Sequence, residues 1–375
     1  MVGMSERLSR RALNRATLAR QLLLERAELP VVEAVERLAG LQAQTPHSWY
    51  AGLGARLDGV TPQDVAEPLV GRRLVRLALM RSTIHLVSAR DALWLRPLVQ
   101  PVLDRDLFQN YTHAKPVEGL DMDDLVAAAR PFLEEKPLTA KQLGALLAEH
   151  GRAAGWGDRA PASLAYAARC RMALVQVPPR GVWGSSGPIA HTTAEAWLGE
   201  PLADDATPDE MILRYLAAFG PATVMDAQTW SGLTRLKDVM ERLRPRLVTF
   251  EDEKGRELFD LPDAPRPGPD VPAPPRLLYD FDNLLLSHAD RSRVITDRFE
   301  AQNYRVRRPV PSIVLVDGFT AGEWTLETKG GRATLTIKTY DEPRPDDAEA
   351  LEAEAHRLIG FAAADAETRN VQITP

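Results

Sequence analysis

The sequence predicts an α+β protein made of three tandem winged-helix motifs followed by a C-terminal β-barrel-like module. Two observations carry this. A unit of helix, short second helix, third helix and two extended runs joined by a turn recurs along the chain. Beyond residue 263 the run DAPRPGPDVPAPP, which sustains neither helix nor central strand, hands over to alternating strand-like sequence. The expected segments are 1–110, 111–205, 206–262 and 263–375, the last holding a Pro-rich linker, the barrel and a closing helix.

In the first segment apolar spacing predicts helices at about 8–27, 31–41 and 62–72, and VRLALMRSTIHLVS as paired strands or one long wing strand. The second helix ends in GLQAQ, before the Thr45-Pro46 expected to stop it. In the second segment LTAKQLGALLAEHG supplies a first helix, PASLAYAARCRMALVQV runs from third helix into wing, and PPRGVWGSSG is the wing's tip. The third copy is the most regular. MILRYLAAFG stops at Gly220-Pro221, ATVMDAQTWSG ends at Gly232, and Thr234 is placed to cap RLKDVMERL. LVTFEDEKGRELFDL then alternates around EKG as a hairpin. Last come a meander of three strands turning at Asp317-Gly318 and Gly330-Gly331, and an acidic helix with Leu351, Ala355, Leu358 and Ile359 on its packing side.

Length and composition narrow the classes. A chain of 375 residues, 45% hydrophobic, forms several cores. No apolar run approaches the roughly 20 residues of a membrane helix, and the arginine-rich start leads into an amphipathic helix, so a cytoplasmic protein with no membrane association is expected. The single cysteine, Cys170, forms no internal disulfide, and the seven histidines lack metal-ligand spacing, so neither a metal nor another cofactor is expected. The net charge of −6 hides asymmetry. Residues 1–110 carry fifteen arginines against eleven acids, and 341–367 is dominated by carboxylates, so the basic half is placed either to face phosphates or to form a solvated surface.

Nucleotide, dinucleotide and serine-hydrolase signatures are missing: there is no GxGxxG after a strand, no GxxxxGK[ST] and no GxSxG. The segment GRRLVRLALMRSTIHLVS offers Arg72, Arg73, Arg76 and Arg81 as guanidinium donors to phosphate, and strand alternation puts Arg81, Thr83 and His85 on one face. Arg235 and Lys237 are exposed candidates on the third helix of the third copy. DNLLLSHADRSR holds Asp282, Asn283, His288, Asp290 and Arg291, enough for an acid–base pair or for a buried turn network; His288 and Arg291 are kept as candidate DNA contacts. Gln42 and Gln44 stand apart. On a helix such a pair points two ways, and beyond a helix end two carboxamides can converge on one small target.

The stretches RALNRATLARQLLLERAELPVVEAVERLAGLQAQTPHSWYAGLGARL, RSTIHLVSARDALWLRP, RYLAAFGPATVMDAQTWSGLTRLKDV and FDNLLLSHADRSRVI closely resemble the AlkZ-type winged-helix DNA glycosylases, which unhook DNA crosslinked by azinomycin-like antibiotics. The resemblance runs through nearly the whole chain. It implies a C-shaped DNA channel of three winged helices completed by a β-barrel, and a catalytic Gln–aliphatic–Gln motif that aligns with Gln42-Ala43-Gln44. It further implies a monofunctional glycosylase acting on N7-alkylguanine in double-stranded DNA, extending to bulky adducts or interstrand crosslinks, in DNA repair and antibiotic self-resistance. No lysine adjoins the glutamines to form a Schiff base. The chain is expected to act as a monomer with no obligate protein partner. The alternatives are a non-catalytic winged-helix transcription regulator and a lesion binder that excises nothing.

Overall fold

The computed structural model describes residues 6–303 and 311–375. The chain divides into two compact units that interleave in sequence: Met1–Val65, Asp209–Trp230 and Arg235–Pro375 form one, Ala66–Pro208 and Ser231–Thr234 the other. Among the described residues no helix is long and apolar enough to cross a membrane.

In the first unit the helix Arg10–Arg20 starts at Ser9, whose hydroxyl accepts from the Ala12 N–H at 3.1 Å. Leu18 joins Leu278, Leu285, Phe299, Ile313 and Leu315 in one apolar core. The helix is shorter than the expected 8–27 because Leu22 turns left-handed at φ 57°. Its arginines are paired inside the fold: Arg15, fully buried, with Asp317, and Arg20 with Asp260 through two bonds of 2.7 and 2.8 Å. The charge asymmetry that suggested a phosphate-facing surface is thus partly internal.

The helices and hairpin expected in the third copy form, but Thr234 does not cap the last helix, which starts at Lys237 after Leu236 with no side-chain cap bond. Helices Pro208–Phe219, Val224–Ser231 and Lys237–Leu243 precede the antiparallel hairpin Val248–Asp252 and Glu257–Asp260. The short strand Arg7–Leu8 adds to that hairpin in parallel, which local sequence did not reveal. The C-terminal sheet has the order Arg276–Leu278, Ser312–Val316, Phe319–Lys329, Arg332–Thr339, Thr368–Thr374. Both expected turns are present as two-residue loops with positive φ at each position: Asp317 50° and Gly318 79°, Gly330 55° and Gly331 74°.

The expected barrel is corrected by this sheet, which is open, with Arg276–Leu278 and Thr368–Thr374 at opposite edges. The helix Pro345–Ala362 explains why. It carries the chain back along the sheet, so the last strand runs parallel to Arg332–Thr339, from the pair Arg332 and Thr368 to Lys338 and Thr374.

In the second unit Leu74–Ala78 and Ile84–Ser88 pair as antiparallel strands, as one of the two expected arrangements had it. Leu74–Ala78 also pairs with Leu174–Gln176, which pairs with Ala190–Thr193 and through it with Leu138–Thr139, so one sheet runs across both hairpins. Of the helices Met122–Glu135, Ala140–Ala153 and Pro161–Arg171, the last two form where LTAKQLGALLAEHG and PASLAYAARCR predicted them, whereas the first was not expected and makes LTAKQLGALLAEHG the second helix of its group and not the first. Thr139 and Gln142 make a capping box at the start of the second of these.

Candidate active site

The helix Val31–Arg37 ends earlier than its apolar pattern suggests, and Gly40 rather than Pro46 stops it. Ala39 and Gly40 are both left-handed, at φ 55° and 82°; the Ala39 N–H reaches Glu36 O at 3.1 Å and the Gly40 N–H reaches Val35 O at 2.9 Å. The chain leaves the helix before the glutamines. Leu41–Gln42 is extended, so the helical angle that would have separated Gln42 and Gln44 does not apply. Gln42 is 4% exposed, Ala43 is fully buried and Gln44 is exposed, so one carboxamide is set in the protein and the other reaches its surface.

The segment 279–283, YDFDN, holds the main chain of this corner. The Tyr279 hydroxyl donates to Gln42 O at 2.9 Å. The Asn283 carboxamide accepts from the Gln42 N–H at 3.3 Å and donates to Gly40 O at 2.5 Å, with a longer contact to Leu38 O at 3.4 Å. Thr45 Oγ1 donates to Asp280 at 2.5 Å. The segment is itself braced: Asp282 receives both guanidinium nitrogens of Arg56 at 2.7 and 2.8 Å, each side chain fully buried, and Arg56 also donates to Gly52 O at 2.9 Å. Phe281 adopts φ 60°, a conformation costing a non-glycine residue about 1–3 kcal/mol. Gly52 makes room for the Tyr279 ring, since a Cβ there would lie 2.6 Å from Cδ1.

DNLLLSHADRSR is a turn network and not an acid–base pair. His288 is 1% exposed and its Nε2–H donates to Phe219 O at 3.0 Å. Burial, reinforced by the Arg293 charge, pushes its pKa down and keeps the ring neutral, although Asp226 pulls the other way. Asp290, despite partial burial, is held ionised by bonds from Lys254, Ser292 and Arg256, and its pKa lies below the usual carboxylate range. Arg291 is half-buried beside that cluster. Arg235, left-handed at φ 62°, and Lys237 are exposed around the start of their helix.

In the second unit Arg72 is exposed and stacks on Trp197, its guanidinium carbon 4.0 Å from the ring centroid. Arg73 is exposed and pairs with Glu67. Arg76 is 1% exposed on Leu74–Ala78, with Gly181 at φ 88° packed on its guanidinium. Arg81, half-buried, sits at φ 56° in the tight turn Met80–Ser82, and Thr83 returns its hydroxyl to Met80 O at 3.0 Å. His85 is 2% exposed, its Nδ1–H on Thr83 O at 3.0 Å; burial and the nearby Arg81 charge push its pKa down to about 3. The alternating face expected for 81–85 is broken by that turn, and both faces of Ile84–Ser88 are buried. Arg76, His85 and His288 therefore stand enclosed by protein, not displayed as the sequence suggested.

Sequence reasoning missed Arg56, Tyr279 and Asp280, and it named Asn283 without its partner. The signal for Asn283 and Asp282 was their adjacency within an otherwise apolar run; no sequence signal joins them to residues more than 200 positions earlier.

Enzymes that release bases from DNA are the class these features fall into: the family model for DNA glycosylases described as AlkZ-like matches residues 35–361. The chain belongs to the AlkZ-like DNA glycosylase family and is a DNA glycosylase. Among curated proteins, the "Interstrand DNA cross-link repair glycosylase" of Streptomyces sahachiroi is 25% identical over 375 aligned residues, covering 90% of this chain and 92% of the relative. Among solved structures, the Streptomyces sahachiroi DNA glycosylase AlkZ has a similar fold, with a TM-score of 0.77 at 23% identity, over 98% of this chain and all of that one. Membership in an enzyme family leaves the regulator alternative unfavoured.

Proposed function

We propose that the protein is a monofunctional DNA glycosylase acting in interstrand cross-link repair, hydrolysing the N-glycosidic bond of N7-alkylguanine in duplex DNA, with Gln42 and Gln44 as the catalytic pair. The observation that carries this reading is the corner itself, where a Gln–aliphatic–Gln run leaves its helix at Gly40, has the main chain of Gln42 bonded at both N–H and C=O by Asn283 and Tyr279, and presents Gln44 to solvent.

The chemistry suits a neutral amide. Alkylation at N7 makes guanine a cation, so when the N9–C1′ bond breaks its electron pair returns to a base already activated as a leaving group, and no general acid is required. A water oxygen then bonds to C1′ and its proton passes to solvent. What remains for the protein is to stabilise oxocarbenium character at the sugar and to hold that water. A carboxamide oxygen accepts a hydrogen bond from the water while its NH₂ donates to a fixed acceptor, and positioning of this kind supplies several kcal/mol of barrier reduction. Arg72, Arg73, Arg81, Thr83, Arg235, Lys237 and Arg291 remain the proposed DNA contacts; the enclosed Arg76, His85 and His288 serve the fold. The three-winged-helix division and the monomeric state are retained in the same sense.

The test is incubation with duplexes bearing one N7-methylguanine or one N7-linked interstrand crosslink. Alkaline cleavage of abasic sites is expected without any enzyme–DNA adduct trapped by borohydride. Binding without release of either lesion would leave a lesion-shielding protein, and a trapped adduct would overturn the monofunctional mechanism.

A further inference from the structure

We infer that Asn283 and Tyr279 are positioning residues of the glycosylase, acting through the main chain of Gln42; this rests on the reading of Gln42 as catalytic. The Asn283 carboxamide donates to the carbonyl of residue 40 and accepts from the N–H of residue 42, bracketing Leu41. A neighbouring parallel strand makes that same pair of bonds, with one residue donating and accepting on either side of its partner. One side-chain amide thus replaces a strand. It fixes an extended backbone immediately after two consecutive left-handed residues, where helix geometry gives no guidance.

Only a carboxamide of this length does both jobs. Aspartate is isosteric but has no donor and sets an oxygen against Gly40 O; alanine offers neither group; glutamine displaces the amide by one methylene. Tyr279 supplies the third bond, to the carbonyl of Gln42, so the residue's N–H and C=O are tied to one segment of the C-terminal part of the chain. That segment does not yield easily. Asp282 locks it to Arg56, Thr45 ties it to the corner through Asp280, and Trp324 Nε1 donates to Leu278 O at 2.9 Å just before it. The Tyr279 hydroxyl and both ends of the Asn283 carboxamide are bonded to the main chain of residues 38–42, so both act on the corner through its backbone. A displacement of about 1 Å at a reacting group costs on the order of 100-fold in rate, and that is the loss their removal is expected to approach.

The test compares Asn283→Asp, Tyr279→Phe, Gln42→Ala and the double variant Asn283→Asp/Gln42→Ala. Single-turnover release from an N7-methylguanine duplex is read alongside DNA dissociation constants and thermal midpoints. The expected result is a fall in release of roughly 10- to 100-fold for Asn283→Asp and about 3- to 10-fold for Tyr279→Phe, with DNA affinity held within about threefold. The double variant should be no slower than Gln42→Ala alone, because a residue acting through Gln42 has nothing left to position. Multiplicative losses would overturn the proposal, as would wild-type release by a folded Asn283→Asp. If Asn283→Asp does not fold, Tyr279→Phe decides by the same rate-against-affinity comparison. Wild-type release by Gln42→Ala would instead overturn the underlying catalytic reading, an outcome distinct from failure of the positioning role.

Discussion

A histidine set in a polar run invites a catalytic or binding role, yet His85 and His288 are both interior rings with one nitrogen on a backbone carbonyl. Their consequence is thermodynamic. His85 takes a proton only near pH 3 in the folded protein, whereas an unfolded imidazole does so near 6.5, so between those values the unfolded state binds more protons and stability falls as pH falls. At pH 5 the loss is about 2 kcal/mol from His85, with His288 adding in the same direction. Denaturant midpoints measured from pH 7.5 to 5 should decline in a window above that in which carboxylates protonate; a flat profile would contradict the buried neutral rings. Gln42 and Gln44, the proposed catalytic pair, stood out at this scale because packing gave no reason for both, and the role proposed for them came from the family resemblance. The partners of Gln42 did not stand out, since Asn283 lies 241 positions away.

Elements show why boundaries were harder than existence. The helices of the third copy and both C-terminal turns were visible from spacing and glycine placement, because the physics that sets them is local. The helix before GLQAQ was extended too far because its apolar pattern continues to Leu41, while the left-handed pair at Ala39 and Gly40 ends it. Gly40→Ala should cost about 1–2 kcal/mol through its φ of 82°, read as a lowered denaturant midpoint; an unchanged midpoint would show that the glycine is dispensable to the stop. The barrel expectation failed for a non-local reason. Alternation specifies strands but not whether the last one returns to the first, and a helical crossover makes the final pairing parallel and leaves the sheet open.

Across the whole molecule, the chain's beginning and end belong to one unit, joined by ion pairs that no local pattern announces. Arg20 meets Asp260 with both side chains essentially buried, and Arg266 adds a second cation to the same carboxylate at 2.7 Å. Asp260→Ala leaves Arg20 without that carboxylate in the interior and should destabilise the protein by about 3–5 kcal/mol, measurable by chemical denaturation; a loss under about 1 kcal/mol would mean the pair contributes little. The same interleaving brings residues 279–283 of the C-terminal segment onto an N-terminal corner, so the proposed active site exists only when both parts of the chain fold together. The most direct measurement of that site is single-turnover release of N7-methylguanine by the wild type, Gln42→Ala, Gln44→Ala and the double variant, each checked for DNA binding. Release by the wild type that collapses in the variants while binding persists is the predicted result; undiminished release by the double variant would show that the catalytic groups lie elsewhere.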